Sequence, residues 1–217
     1  MTHAEAMWFH TRLASLRDDQ IFPLLNIGSS TLEFRSKVQP FIHEEIFQPL
    51  AARGGAVHHI DIKAAEGVDI VGDLDDEQFC DRLRELKPRS VMVSNLLEHV
   101  KAPTALAQRI VDPLPPGGLM LVSGPHRYPY HADPIDNGFR PNVEQIAMLF
   151  PQMDLVEGEI LEAGQWDRGG RTLGRLALRL ALPIHRPGKW WELARQVPWA
   201  WRQISAFAAV LQKKAVT

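Results

Sequence analysis

Residues 126–140 are dense in groups that can do chemistry: His126, Tyr128, His131, Asp133, Asp136 and Arg140. An imidazole beside a carboxylate can accept a proton from a substrate or hold a cation, while a phenol and a guanidinium can fix a polar ligand. The same residues can instead make the turn and capping bonds of their own loop, stiffened by Pro125, Pro129 and Pro134. Upstream, Gly28-Ser29-Ser30 offers close backbone approach, hydroxyl donors and amides that attract an anionic group, although an ordinary connecting turn has the same composition. Asp61 has paired acceptor oxygens suited to two ribose hydroxyls, and Asp73 can accept from an adenine amino group or cap the helix that follows. His58 and His59 are neighbours on an expected strand and point to opposite faces, so they do not share an ion. No metal site is assigned.

The elements that position these groups follow from the pattern of apolar runs and turns. Residues 4–16 form an expected helix, and residues 22–27 a strand that runs into Gly28. A helix over 41–52 ends at Arg53-Gly54-Gly55, because glycine supplies a left-handed cap. Strands over 57–62 and 68–71 end near Asp61 and Asp73. Asp75 with Gln78 resembles a capping box for a helix carrying Phe79, Leu83 and Leu86. A strand at Val91-Met92-Val93 leads to Asn95, a helix covers 104–111, and Pro115-Pro116-Gly117-Gly118 turns into a fifth strand over 119–122. Pro141 or Asn142 opens a helix through Leu149, a sixth strand covers 154–161, and residues 173–182 read as a closing strand or a helix. Strands alternating with helices imply right-handed crossovers and a parallel α/β sheet. Ligands of such sheets bind at the carboxyl ends of the strands, where Asn95 and residues 124–140 fall.

The chain has 217 residues and 45% hydrophobic composition, enough for one sizeable core, and no Gly/Ser-rich linker divides it. With 24 basic and 26 acidic residues it lacks the positive field that holds a nucleic-acid backbone, and no nucleic-acid partner is expected. Cys80 is the only cysteine, so neither an intramolecular disulfide nor a multi-cysteine metal site can form. The N-terminal residues do not resemble a signal peptide, and a cytoplasmic location is expected. No uncharged run approaches the roughly 18 to 20 residues of a membrane-spanning helix.

Taken in order, Leu24-Leu25-Asn26-Ile27-Gly28-Ser29-Ser30, Ile60-Asp61, Asp69-Ile70-Val71-Gly72-Asp73-Leu74, Asn95-Leu96-Leu97-Glu98-His99-Val100 and Pro116-Gly117-Gly118 resemble the class I S-adenosylmethionine-dependent methyltransferases. The resemblance covers residues 22–161, and the Leu-Glu-His-Val and Pro-Gly-Gly pair is similar to the small-molecule branch. Residues 129–136 with Arg140 are also similar to methyltransferases of surface-polysaccharide and sugar modification. The resemblance implies a three-layer Rossmann-like fold, mostly parallel with an antiparallel last strand, and a sugar or glycan hydroxyl as methyl acceptor. It places Asn26, Gly28, Ser29 and Ser30 at the methionine part of the donor. Asp61 and Ile62 fall at the ribose, Asp73 and Leu74 at the adenine, and Asn95, Leu96 and Leu97 beside the reactive methyl. His131, His126 or His99 would take the acceptor's proton, with Asp136 orienting one of them, and Tyr128, His131, Asp136 and Arg140 would contact the acceptor.

The first motif departs from the family: Asn26 stands where an acidic residue is usual, and Ser30 where a second glycine is usual. Asn26 brings no negative charge to a cationic donor, so the alternative is a non-catalytic methyltransferase-like module that binds a partner protein or a membrane. The domain is expected over 1–184, followed by a helical aromatic and basic extension over 185–217. There Trp190, Trp191, Trp199, Trp201 and Phe207 accompany Lys189, Arg195, Arg202, Lys213 and Lys214. Such a segment can lie at a membrane surface, giving a peripheral contact, or can cover a sheet edge.

Overall fold

The computed structural model describes residues 1–131, 135–165, 199 and 202–215. Thr2 starts α1 (His3–Ser15) through a capping box, accepting from the Glu5 N–H while the Glu5 carboxylate accepts from the Thr2 N–H. A single turn, α2 (Asp18–Ile21), leads into β1 (Leu24–Ile27). The expected helix over 41–52 is a π-helical turn, His43–Phe47, continuing into α3 (Gln48–Ala52). The strands β2 (Val57–Asp61) and β3 (Ile70–Val71) follow. In α4 (Glu77–Glu85) the cap is Asp76 rather than Asp75, its side chain accepting from the Gln78 N–H at 3.0 Å. Next come β4 (Ser90–Ser94), a 3₁₀ turn Leu97–His99, α5 (Pro103–Val111) and β5 (Leu119–Arg127). The described chain closes with α6 (Val143–Leu149), β6 (Met153–Gln165) and β7 (Gln203–Lys213). No helix among the described residues is long and apolar enough to cross a membrane.

Among the described residues, seven strands form one sheet in the order β3-β2-β1-β4-β5-β7-β6. Pairings from β3 through β5 are parallel, and β7 runs antiparallel to both β5 and β6. Period-two alternation sorts the strand residues into two cores. Leu25, Ile27, Val91, Val93, Met120 and Val122 pack with Phe79, Leu83, Ile110 and Ile146, from α4, α5 and α6. Leu24, Met92, Leu119 and Leu121 face the other way, onto Phe9 and Leu13 of α1 and Ile46 and Leu50. The result is a three-layer α/β sandwich whose strand order reverses between β1 and β4, the place where open sheets of this kind leave a crevice.

β7 corrects the expected helical extension over 185–217. Residues 203–213 are a strand inside the sheet, apolar on both faces: Phe207, Ala209 and Leu211 join one core, Ala208 and Val210 the other. Lys213 of the expected membrane-facing set donates to the carbonyls of Val111, Asp112 and Leu114, and Lys214 to that of Pro151. Arg202 stacks on the Trp199 ring at 5.6 Å. Trp190, Trp191, Trp201, Lys189 and Arg195, and the closing segment expected over 173–182, lie outside the described residues. Because Phe207 is 1% exposed and packs under the centre of the sheet, Phe207→Ala is expected to lower unfolding free energy by about 3–5 kcal/mol. Urea denaturation measures this, and a loss near zero would contradict a core role for β7.

Candidate functional site

A cavity of about 630 Å³ opens at the carboxyl ends of β1, β2 and β4. Such a volume suits a small-molecule ligand. Of the residues singled out in the sequence, Asn26, Gly28, Ser29, Ser30, Asp61, Ile62, Asp73, Leu74, Asn95, Leu96, His99, Tyr128 and His131 line it. Leu97 instead sits in the core at 2% exposure, and His126, Asp136 and Arg140 are not among the lining residues. Asp133 lies outside the described residues.

The turn after β1 explains its own composition. Gly28 has φ 72°, and a Cβ there would meet the Leu96 side chain at 3.0 Å. Ser30 takes the same left-handed backbone, φ 56°, so the serine occupies the conformation a glycine would favour without closing the cavity. The amides of Gly28 and Ser29 both donate to the Ile60 carbonyl, and that of Ser30 to Asp61 Oδ2 at 2.9 Å. The expectation of amides available to an anion is thereby corrected: all three are engaged within the fold. Beneath the turn the Arg35 guanidinium, 4% exposed, donates to the carbonyls of Ser29, Ser30 and Gly67 at 2.7–2.8 Å.

Asn26 is committed sideways. It faces His59 across the β1–β2 pair and donates from Nδ2 to His59 Nδ1 at 2.9 Å, which assigns the neutral tautomer protonated on Nε2. Burial, then the nearby Arg35 charge, pushes the His59 imidazole down to about 4.

Glu5, from outside the sheet, is the acidic lining residue that sequence reasoning missed. Its side chain reaches the cavity from α1 with no solvent exposure, and its Oε1 accepts from Asn95 Nδ2 at 2.8 Å. Asn95 has φ 51°, a left-handed conformation that asparagine tolerates and that turns the chain off β4. The one signal in the sequence was the Thr2-x-x-Glu5 capping pattern, which marks a helix start and says nothing of a cavity.

The opposite wall is aromatic. His131 makes edge contacts with Tyr128 and with His99, both at 5.1 Å between ring centroids. His99 Nδ1 lies 2.6 Å from the Ile135 carbonyl, so this nitrogen donates, and in the neutral imidazole Nε2 carries the lone pair. Burial pushes the His131 imidazole down from its ordinary value. Behind them Glu98 is buried, 1% exposed, and that burial pushes its carboxyl up to about 7. Asp136 works from outside the cavity: it accepts from Arg140 Nη2 at 2.6 Å and from the amides of His131 and Gly138. Burial alone would raise this carboxyl, and those donors hold it below the usual carboxylate range. Arg140 also donates to the carbonyls of Tyr128, Phe139 and Pro129, so the pair braces the loop. His126 belongs to β5 and pairs through Nδ1 with the Pro141 carbonyl at 2.9 Å.

Solved structures with this architecture are distant in sequence. The chain is 11% identical to a putative sarcosine dimethylglycine methyltransferase from Galdieria sulphuraria, with a TM-score of 0.54 over 98% of this chain and 85% of that one. An S-adenosylmethionine-dependent methyltransferase from Anabaena variabilis is 11% identical, with a TM-score of 0.55 over 93% and 80% of the two chains. The fold is that of the class I methyltransferases. Coclaurine N-methyltransferase, solved with N-methylheliamine and S-adenosylhomocysteine, shares the methyltransferase fold at 14% identity, with a TM-score of 0.54 over 97% and 70% of the two chains. No family model and no curated protein sequence matches the chain.

The burial of His59 fixes a pH dependence. A folded-state value near 4 against about 6.5 unfolded means that the unfolded chain binds the proton first, so stability is full above pH 6.5 and falls toward pH 4. Wild type is expected to lose roughly 2–3 kcal/mol more than His59→Gln over that interval, read from urea midpoints at successive pH values. Parallel pH profiles for the two proteins would contradict the assignment.

Proposed function

We propose that this chain is an S-adenosylmethionine-dependent methyltransferase acting on a small molecule, with a sugar or glycan hydroxyl as the acceptor. The observation that carries the reading is the cavity at the β1–β4 reversal, which gathers a glycine turn, strand-end carboxylates, a buried acid and an imidazole wall in one space. When bound, the donor supplies an electrophilic methyl on a positively charged sulfur.

The residues present fit such a donor. Each Asp61 oxygen accepts one backbone N–H, from Ser30 or Lys63, and a carboxylate oxygen has lone-pair capacity left for a ribose hydroxyl. Ile62, 64% exposed at the cavity lip, and the more buried Leu74 offer apolar surface to an adenine, with Asp73 beside them. Glu5 brings the negative charge that Asn26 does not, in a water-poor position where that charge is least screened. Asn95 holds the Glu5 carboxylate in place from the end of β4.

On the acceptor side, Tyr128, His99 and His131 combine aromatic faces with ring nitrogens, a surface suited to a polyhydroxylated molecule. The hydroxyl proton leaves at this wall, where Nε2 of a neutral His99 can accept it. Asp136 and Arg140 act as positioning residues by fixing the backbone of the loop. His126, bound to Pro141, takes no part in the chemistry.

Titration calorimetry with S-adenosylmethionine tests the donor, and the expected result is saturable binding. Folded protein with no heat at millimolar donor would overturn the reading. Steady product formation with nucleotide sugars or glycans separates an enzyme from a non-catalytic module. Glu5→Gln keeps both capping bonds, and is expected to weaken S-adenosylmethionine about tenfold while changing S-adenosylhomocysteine far less, since only the former is a sulfonium. Equal losses for the two ligands would remove Glu5 from the charge-recognition role.

A further inference from the structure

Glu98 is the least satisfied buried acid beside the cavity. Its side chain is 1% exposed, and its Oε1 has no hydrogen-bond partner. His99 Nε2 is 3.8 Å away, beyond hydrogen-bond reach. The carboxyl oxygen and the ring nitrogen thus face each other across a buried gap with no bond between them. His131 closes the group from the segment after β5: one ligand-capable atom from each of Glu98, His99 and His131 lies within 4.8 Å of the others.

We propose that Glu98, His99 and His131 bind a divalent first-row transition cation. Two ligands held about 2.1 Å from one cation lie roughly 3–4 Å apart, the spacing seen between Glu98 Oε1 and His99 Nε2. One carboxylate and two imidazoles suit zinc, manganese, iron or cobalt, and three protein ligands leave positions open. Those positions face the cavity, because His99 and His131 line it. The supporting shell is in place: His99 Nδ1 is bonded to the Ile135 carbonyl, and His131 Nδ1 lies 3.4 Å from the Pro129 carbonyl and 3.5 Å from Asp136 Oδ2. Aromatic edges enclose the rings, with His99 and His131 nearly perpendicular at 89°.

The cation gives the acceptor wall a defined chemistry, and this part rests on the methyltransferase reading. A hydroxyl oxygen bound at an open position loses its proton more readily, as water does on zinc, and the proton passes to solvent. His99 and His131 are then ligands, and the cation is the acidifying group.

The test uses full-length protein stripped with a chelator and titrated with cobalt(II) in the absence of any donor, so that its outcome is independent of donor binding. Visible ligand-field bands saturating at one equivalent, with zinc(II) displacing the cobalt, are expected. Glu98→Gln and His131→Asn are each expected to weaken binding more than tenfold, and His126→Asn, outside the cavity, to leave it unchanged. Circular dichroism in chelator checks that each variant is folded; if Glu98→Gln is not, His99→Asn replaces it. Absence of cobalt bands in the wild type, or binding that survives the ligand substitutions, overturns the proposal.

Discussion

One guanidinium holds the floor of the cavity. Arg35 donates to the successive carbonyls of Ser29 and Ser30 and to that of Gly67, tying the turn after β1 to the loop between β2 and β3. Buried this deeply, the charge is disfavoured, and desolvation lowers its proton affinity while the Asp69 and Asp61 carboxylates act against that loss. Three well-directed carbonyls and two acids make the burial tolerable. The left-handed Ser30, the engaged amides and the position of Asp61 all follow from that anchor.

The donor side and the acceptor side obey different rules. Around β1 and β2 nearly every polar group is paired within the protein, as Asn26 with His59 and Ser30 with Asp61 show. Around the end of β4 an acid and two imidazoles converge with Glu98 Oε1 unpaired. A buried polar group without a partner is costly, and a bound ion or water is one way a fold completes it. Glu5 stands between the two regimes, bonded to Asn95 yet facing the cavity.

Much of the architecture was legible because the alternation of apolar residues and the turn chemistry agreed. Strand ends at Ile27, Asp61, Val71 and Ser94 fell where the runs stopped, and those ends carry most of the cavity residues. What escaped was what sequence spacing does not encode. β7 reads as a mixed aromatic and basic stretch because it is buried on both faces and so lacks alternation, and because its Lys213 is drawn onto the carbonyls after α5. Asp136 and Arg140 looked like substrate ligands, since type and position alone do not distinguish a carboxylate that braces a loop from one that meets a ligand. Glu98 was hidden inside a motif that suggested only a family, and Glu5 in a capping box whose second use depends on how α1 lies over the sheet.

The place of β7 in the sheet sets an order of assembly. Although last of the described strands in sequence, it lies between β5 and β6, with a ladder to each. On the ribosome β5 and β6 emerge before β7, each with an open edge, and neither pairs with the other in the native arrangement. Their hydrogen-bonding edges wait for a segment still being translated, an exposure that makes nascent chains prone to pairing with the wrong partner. The five parallel-paired strands from β3 to β5 can gather early, but the sheet closes only when residues 203–213 leave the exit tunnel.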